Sequence, residues 1–208
     1  NIEVNKVIGM EHPFHYRNKL QYTEYVDKNN NPIMGVFANR THEIIPVTNC
    51  LIQNREAEKV AKKVFEFIKQ NDISIYNENT REGAIRHIVV KIGIRTDEIM
   101  CIIVSNQENF KQEDKLVEVI KNEWPKVKTI IKNINNRNTN VILGDRNIIL
   151  YGDGFIYDKL GEYTFKISPM SFYQTNPIQT EVLYSKAIEF SKLDKEDVLY
   201  DLYCGIGT

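Results

Sequence analysis

The sequence predicts an α+β domain over residues 1–167, followed by the opening of a parallel α/β domain over residues 168–208. Three observations carry this reading. Short strands with antiparallel turn signals, interleaved with two amphipathic helices, fill the first part. After residue 176 a helix, a polar turn, an apolar strand and a glycine loop follow in the order of a βα-type unit. The last segment, Asp201-Leu202-Tyr203-Cys204-Gly205-Ile206-Gly207-Thr208, has the Asp-x-x-x-Gly-x-Gly spacing of a strand running into a turn whose missing side chains let a ligand approach the backbone.

Each element has its own local signal. Residues 17–25 alternate with strand period, residues 27–32 read as a polar turn, and residues 33–37 and 43–47 are short strands around the turn Asn39-Arg40-Thr41. Together they make an antiparallel meander. Residues 54–70 form an amphipathic helix, with Ala57, Val60, Ala61, Val64, Phe65 and Ile68 on one face and lysines on the other. Residues 85–95 and 99–105 make a hairpin turned at Thr96-Asp97, and residues 112–124 a second helix stopped by Pro125. Strands are expected over 127–134 and 141–143, with further short β-segments joined by the turns between 145 and 163. The third helix, over 177–193, has Asn176 as N-cap, Pro177 at its first position and Gln179 placed to bond back. Val182, Leu183, Ala187, Ile188 and Phe190 give it an apolar face. Val198, Leu199 and Tyr200 are expected to form a buried parallel strand.

Composition narrows the function. Lys and Arg number 27 against 28 Asp and Glu, so there is no overall basic field; this argues against a non-specific nucleic-acid clamp and leaves room for a local basic path. Hydrophobic content of 42% and charged content of 26% are those of a soluble globular protein. No apolar stretch is long enough to span a membrane, and no secretory signal pattern is present. The cysteines Cys50, Cys101 and Cys204 are few and far apart, which suits a reducing cytoplasm. The first residue is not Met, and a ribose-holding acid about 20 positions beyond the glycine turn would be needed to complete a nucleotide site. The expectation is therefore a fragment of a larger enzyme.

The string Ile167-Ser168-Pro169-Met170-Ser171-Phe172-Tyr173-Gln174-Thr175-Asn176, then Gln179-Thr180-Glu181, then the closing Asp201 to Thr208 segment, resembles the bacterial RNA (uracil-5-)-methyltransferases. The branch acting on 23S ribosomal RNA is the most similar. Tyr16-Arg17-Asn18-Lys19, Val47-Thr48-Asn49-Cys50 and Thr139-Asn140-Val141-Ile142 match in the same order, so the resemblance covers nearly the whole chain. It implies a missing N-terminal RNA-binding barrel, a central α+β, RNA-facing domain and a class I S-adenosylmethionine-dependent methyltransferase domain of Rossmann-like α/β fold, truncated here. It also implies the chemistry. A cysteine adds to C6 of uracil, C5 takes the methyl group, and a carboxylate-type base helps remove the C5 proton; a thiolate is the natural group to add. That nucleophile is expected outside this chain, which leaves the fragment inactive alone. Cys204 is expected to be a small packing residue, and Cys101 simply core.

By match to the family, Gln174, Tyr203 and the turn containing Gly205, Gly207 and Thr208 contact S-adenosylmethionine. The Gln174 amide can donate and accept, and exposed turn N–H groups suit the methionine carboxylate. Tyr203 reads alternatively as a core aromatic, Gln174 as a turn-capping amide, and Asp201 equally as a turn residue or a ligand. Phe172 is the candidate to stack on an extruded base, with a buried core aromatic as the alternative. Tyr16, Arg17 and Lys19 combine a ring with cations for RNA, or are merely solvated. His12, His15, His42 and His87 have no metal-ligand spacing and read as surface or structural histidines. Cys50 corresponds to the last of four ligands of a 4Fe–4S cluster in cluster-bearing relatives; alone it is expected to be a free thiol. RNA, 23S ribosomal RNA in particular, is the implied partner, with no membrane and no obligate protein partner. A non-catalytic RNA-binding or assembly module is the competing function, and a methyltransferase acting on DNA or protein a third.

Overall fold

The computed structural model describes residues 4–27, 31–41, 43–205 and 207. The fold grows from two strands that read as uninterrupted apolar runs, β4 (Ile85–Ile92) and β5 (Ile99–Ser105), every residue of which is buried. Strands of that kind need cover on both faces. They pair antiparallel through the expected turn, with a bulge between Ile85 and His87. On one side β4 pairs antiparallel with β1 (Lys19–Val26), which continues into β2 (Pro32–Phe37) and β3 (Ile44–Pro46) as the expected meander. On the other side β5 pairs in parallel with β6 (Val127–Ile134), and β6 antiparallel with β7 (Arg146–Tyr151). The result is a mixed seven-stranded sheet in the order β3-β2-β1-β4-β5-β6-β7. The parallel pair requires a crossover, supplied by α2 (Glu113–Glu123).

One face of the sheet is closed by α1 (Arg55–Gln70) and α2. Ala57, Val60, Ala61, Val64 and Ile68 of α1 and Leu116 and Ile120 of α2 meet Leu20, Tyr22, Ile88, Val90, Cys101 and Ile103 in the main core. Asn54 caps α1 as expected, accepting from the N–H groups of Glu56 and Ala57 at 2.9 and 3.2 Å. Phe67 is buried where the periodicity had favoured Phe65, which packs at the edge.

The opposite face receives the hairpin β8 (Ile156–Leu160) and β9 (Tyr163–Ile167), whose Ile156 and Ile167 pack on Val89, Met100, Ile102 and Ile131. Asp158 is fully buried and accepts from the N–H groups of Ile94 and Arg95 at 3.0 and 2.8 Å, which locks the hairpin to the β4–β5 turn. α3 (Pro177–Ser191) follows, and Asn176 caps it by accepting from the N–H of Gln179. No helix among the described residues is long and apolar enough to cross a membrane.

Two expected strands are absent. Residues 141–143 are irregular, because the Asn135 amide donates to the Val141 and Ile142 carbonyls at 2.7 and 3.0 Å and takes the place of a ladder. Val198, Leu199 and Tyr200 have no strand beside them and stand exposed, so the parallel α/β unit expected from residue 168 is represented by α3 and irregular chain only. Strand pairing needs a neighbour, and an apolar string without one cannot satisfy its backbone.

Candidate functional site

Residues 168–176 cross the second sheet face as an extended loop, and two anchors from the sheet hold it. Lys91 of β4 lies opposite Lys19 in the register and is buried. Its ammonium donates to the carbonyls of Ser168, Pro169 and Ser171 at 3.0, 2.8 and 2.9 Å. Burial and the like charge of Lys19 pull it down to about 8, so in neutral solution it keeps three protons for three acceptors. Asn18, at the entry to β1, donates through its side chain to the Gln174 carbonyl at 2.7 Å and through its N–H to the Thr175 carbonyl at 3.0 Å. The Ser168 and Ser171 hydroxyls close the turn between them at 2.8 Å.

This loop presents its side chains to three neighbouring cavities. A small one of about 130 Å³ is lined by Arg17, Lys19, Lys91, Phe172 and Tyr173. A second, of about 520 Å³, is lined by Phe172, Gln174, Tyr184, Asp201, Tyr203 and Gly205. The third, about 600 Å³, is lined by Tyr16 and Gln174 together with Val182 and Leu183 of α3. Of the residues assigned to RNA from the sequence, Arg17, Lys19 and Phe172 line the first cavity, and of those assigned to the cofactor, Gln174, Tyr203 and Gly205 line the second. Gln174 borders both large cavities and donates to the Tyr184 hydroxyl at 3.4 Å.

In this segment Phe172 is 71% and Tyr203 102% exposed. Cys204, expected to pack, is also exposed and lines the second cavity, because the strand that would have buried it does not form. Tyr203, Gly205 and Gly207 all have positive φ, at 67°, 63° and 81°, and the Gly207 N–H donates to the Cys204 carbonyl at 3.0 Å. This is left-handed geometry, which glycine adopts at no steric cost. Gly207 lines none of the three cavities. Thr208, with Ile206, lies outside the described residues, as does His42. His15 bonds the Gln53 carbonyl and His87 the Thr23 hydroxyl. Cys50 is a partly exposed free thiol in the loop before α1, and among the described residues no group of three or more His, Cys, Asp or Glu is placed to hold a metal. A 4Fe–4S cluster takes four thiolates, and this segment supplies one, so the residues present do not fit it.

Sequence reasoning left Lys91 and Arg86 unnamed and read His87 as a surface or structural histidine. Their signal was present: three titratable side chains inside a strand otherwise made of Ile and Val, where each needs a partner when buried.

No protein-family model matches the chain. It is 44% identical over its whole length to an uncharacterized RNA methyltransferase of Staphylococcus epidermidis, of which it covers 46%. An uncharacterized RNA methyltransferase of Caldanaerobacter subterraneus is 45% identical over 99% of the chain and 45% of the relative. The chain therefore spans about half the length of the curated relatives it matches. Among solved structures it superposes on the Pyrococcus abyssi tRNA (uracil-54, C5)-methyltransferase in complex with S-adenosyl-L-homocysteine. The TM-score is 0.70 with 25% identity, over 88% of this chain and 42% of that one. Both relatives are named RNA methyltransferases, and the fold resembles part of the Pyrococcus abyssi enzyme.

Proposed function

We propose that this chain is part of an S-adenosylmethionine-dependent RNA (uracil-5-)-methyltransferase whose substrate is 23S ribosomal RNA. Residues 168–208 would be the opening of its cofactor domain and residues 1–167 its RNA-facing central domain. The observation that carries the reading is the second cavity, where Gln174, Asp201, Tyr203 and Gly205 converge beside exposed Phe172. The donor set suits a zwitterionic ligand: Asp201 for an ammonium, left-handed turn N–H groups for a carboxylate, and the Gln174 amide for either. When bound, such a cofactor supplies an electrophilic methyl group. In the proposed reaction a thiolate outside this chain adds to uracil C6, C5 takes the methyl, a base removes the C5 proton, and the thiolate leaves as the ring regains its double bond. The residues of this chain bind and orient. Phe172 offers a π-face to the extruded base, while Arg17 and Lys19, in the adjoining cavity, hold its backbone. Lys91 and Asn18 keep the loop that carries Phe172 and Gln174 in register with both.

The ribosomal substrate rests on the sequence resemblance; the Pyrococcus relative acts on uracil 54 of tRNA, which makes tRNA the competing substrate. The test is methyl transfer from tritiated S-adenosylmethionine by the natural protein that carries this sequence, offered 23S rRNA and tRNA transcripts separately. The expected result is 5-methyluridine in 23S rRNA by nucleoside mass spectrometry, with uptake lowered at least about tenfold by Gln174→Ala. Uptake confined to tRNA would reassign the substrate, and a methylated base other than uracil would overturn the reading.

A further inference from the structure

The second sheet face carries one more cavity, of about 500 Å³, away from the cofactor loop. Gln21, Asn39, Arg40, Arg86, His87 and Asn140 line it, together with Phe37 and Glu78. Its volume is within the roughly 300–1,000 Å³ of small-ligand sites. The β4 bulge between Ile85 and His87 sets two of these side chains. Arg86 is 5% exposed, its Nη1 donates to the Asn135 and Arg137 carbonyls at 2.8 Å each, and the guanidinium lies 4.3 Å from the Tyr76 ring centre. Its Nε is buried without a partner. His87 is equally buried, with Nδ1 against the Thr23 hydroxyl at 3.1 Å and no partner for its other ring nitrogen among the described residues. Burial and neighbouring Arg86 hold this imidazole neutral, with its pKa down at about 3. The site thus combines a fixed cation and a neutral imidazole with the three exposed amides of Gln21, Asn39 and Asn140, the exposed Arg40 and the carboxylate of Glu78.

That mixture discriminates between ligands. A bare anion would need only the guanidiniums. Amides and a neutral imidazole, which both donate and accept, match the edge of a nucleobase, while an exposed arginine suits the phosphate attached to it. Position supplies the second argument. Lys19 lines the small cavity beside Phe172 and Gln21 lines this one, and the two lie on the same face of β1, about 7 Å apart along the strand. We infer that the cavity lined by Gln21, Arg86, His87 and Asn140 binds a second nucleotide of the RNA, flanking the one that Phe172 receives; this rests on the RNA-methyltransferase reading. An extended strand laid along β1 would place successive bases in the two cavities.

Fluorescence anisotropy of the natural protein with fluorescein-labelled rU12, rA12 and a 12-residue abasic ribose-phosphate strand tests it. Gln21 and Asn140 are exposed, so Gln21→Ala/Asn140→Ala is expected to leave the far-UV spectrum unchanged. The expected result is that the double variant binds at least one base-bearing strand about tenfold more weakly and the abasic strand as before. Two outcomes overturn the assignment: equal losses on all three strands, which would mean a phosphate contact only, or no loss on any. If the wild type holds none of the strands, the RNA-methyltransferase reading fails together with this one. If it binds and the variant matches it, the nucleotide site alone fails.

Discussion

α1 and α3 began as the same kind of signal and ended in opposite surroundings. Each is preceded by an Asn that caps it, and each carries apolar residues at near-helical spacing. α1 lies on the sheet and buries Ala57, Val60, Ala61, Val64 and Ile68. α3 buries only Pro177 and Thr180, leaving Leu183, Ile188 and Phe190 between 62% and 69% exposed. Polar links hold it instead: Glu181 pairs with Arg95 at 2.8 Å and accepts from the Gly161 N–H at 2.9 Å. Capping and propensity are local and form a helix wherever they occur; burial needs a second surface. Among the described residues the sheet provides one for α1.

The largest test of that contrast is a pair of truncations. Ile68→Ala in α1 should lower unfolding stability in urea by about 2–5 kcal/mol, whereas Ile188→Ala in α3 should stay within about 0.5 kcal/mol. Equal losses would show that α3 is buried in solution.

The next largest effect concerns the loop between the two regions. Lys91→Met leaves three carbonyls without their shared donor, which should loosen residues 168–175 by about 2 kcal/mol. Hydrogen exchange should then quicken there by roughly thirtyfold while β5 keeps its protection. Uniform quickening across the sheet would make Lys91 a core residue rather than a tether.

A third test exploits polar groups inside the well-packed region. Glu24 is 2% exposed with neither carboxylate oxygen partnered, and burial raises its pKa well above 4.5. Its contribution to stability is therefore fully present below pH 4.5 and is lost as pH rises through the raised value. His87 works in the opposite sense: lowered from 6.5 to about 3, it contributes above pH 6.5 and loses this as pH falls towards 3. These two groups together favour the fold between about pH 4.5 and 6.5. Glu24→Leu should raise stability by about 1–2 kcal/mol at pH 8, with the gain shrinking towards pH 4.5. A gain independent of pH would place the effect in packing instead.

The smallest effect is at the caps. Asn54→Ala should lower global stability by about 1 kcal/mol. Asn176→Ala should fray α3 in exchange without shifting the urea midpoint, because little of the cooperative core depends on it.

The same contrast explains what the sequence made legible. The strands up to residue 134 and both core helices follow from period, with an Asn54 cap for α1 and the Pro125 stop for α2, because each has the partner its pattern requires. The direction of the β5–β6 pairing was not legible, since apolar runs such as Ile99 to Ser105 read alike in parallel and antiparallel pairs. Residues 141–143 and Val198 to Tyr200 misread as strands for one reason: apolar strings were taken as paired without a neighbour being identified. Within the site, Phe172, Gln174 and the Gly205 turn were legible as a string of residues. Lys91 and Asn18, which hold that string in place, were not, because a tether is defined by carbonyls far away in the chain.

That distance has a consequence in time. Asn18 and Gln174 are separated by 156 positions, and Lys91 by 77 to 80 from the carbonyls it holds. Strands β4 and β5 find each other across a short turn, but the loop bearing Phe172 must wait for a long closure, whose entropy no local contact offsets. During synthesis the sheet can therefore assemble while the loop is still inside the ribosome, and the binding surface is set only when its final anchor residues have emerged. A refolding experiment should see the signal of Trp124, at the end of α2 against the main core, and the amide signals of the sheet recover first, with the competence to bind ligand following as a separate, later phase.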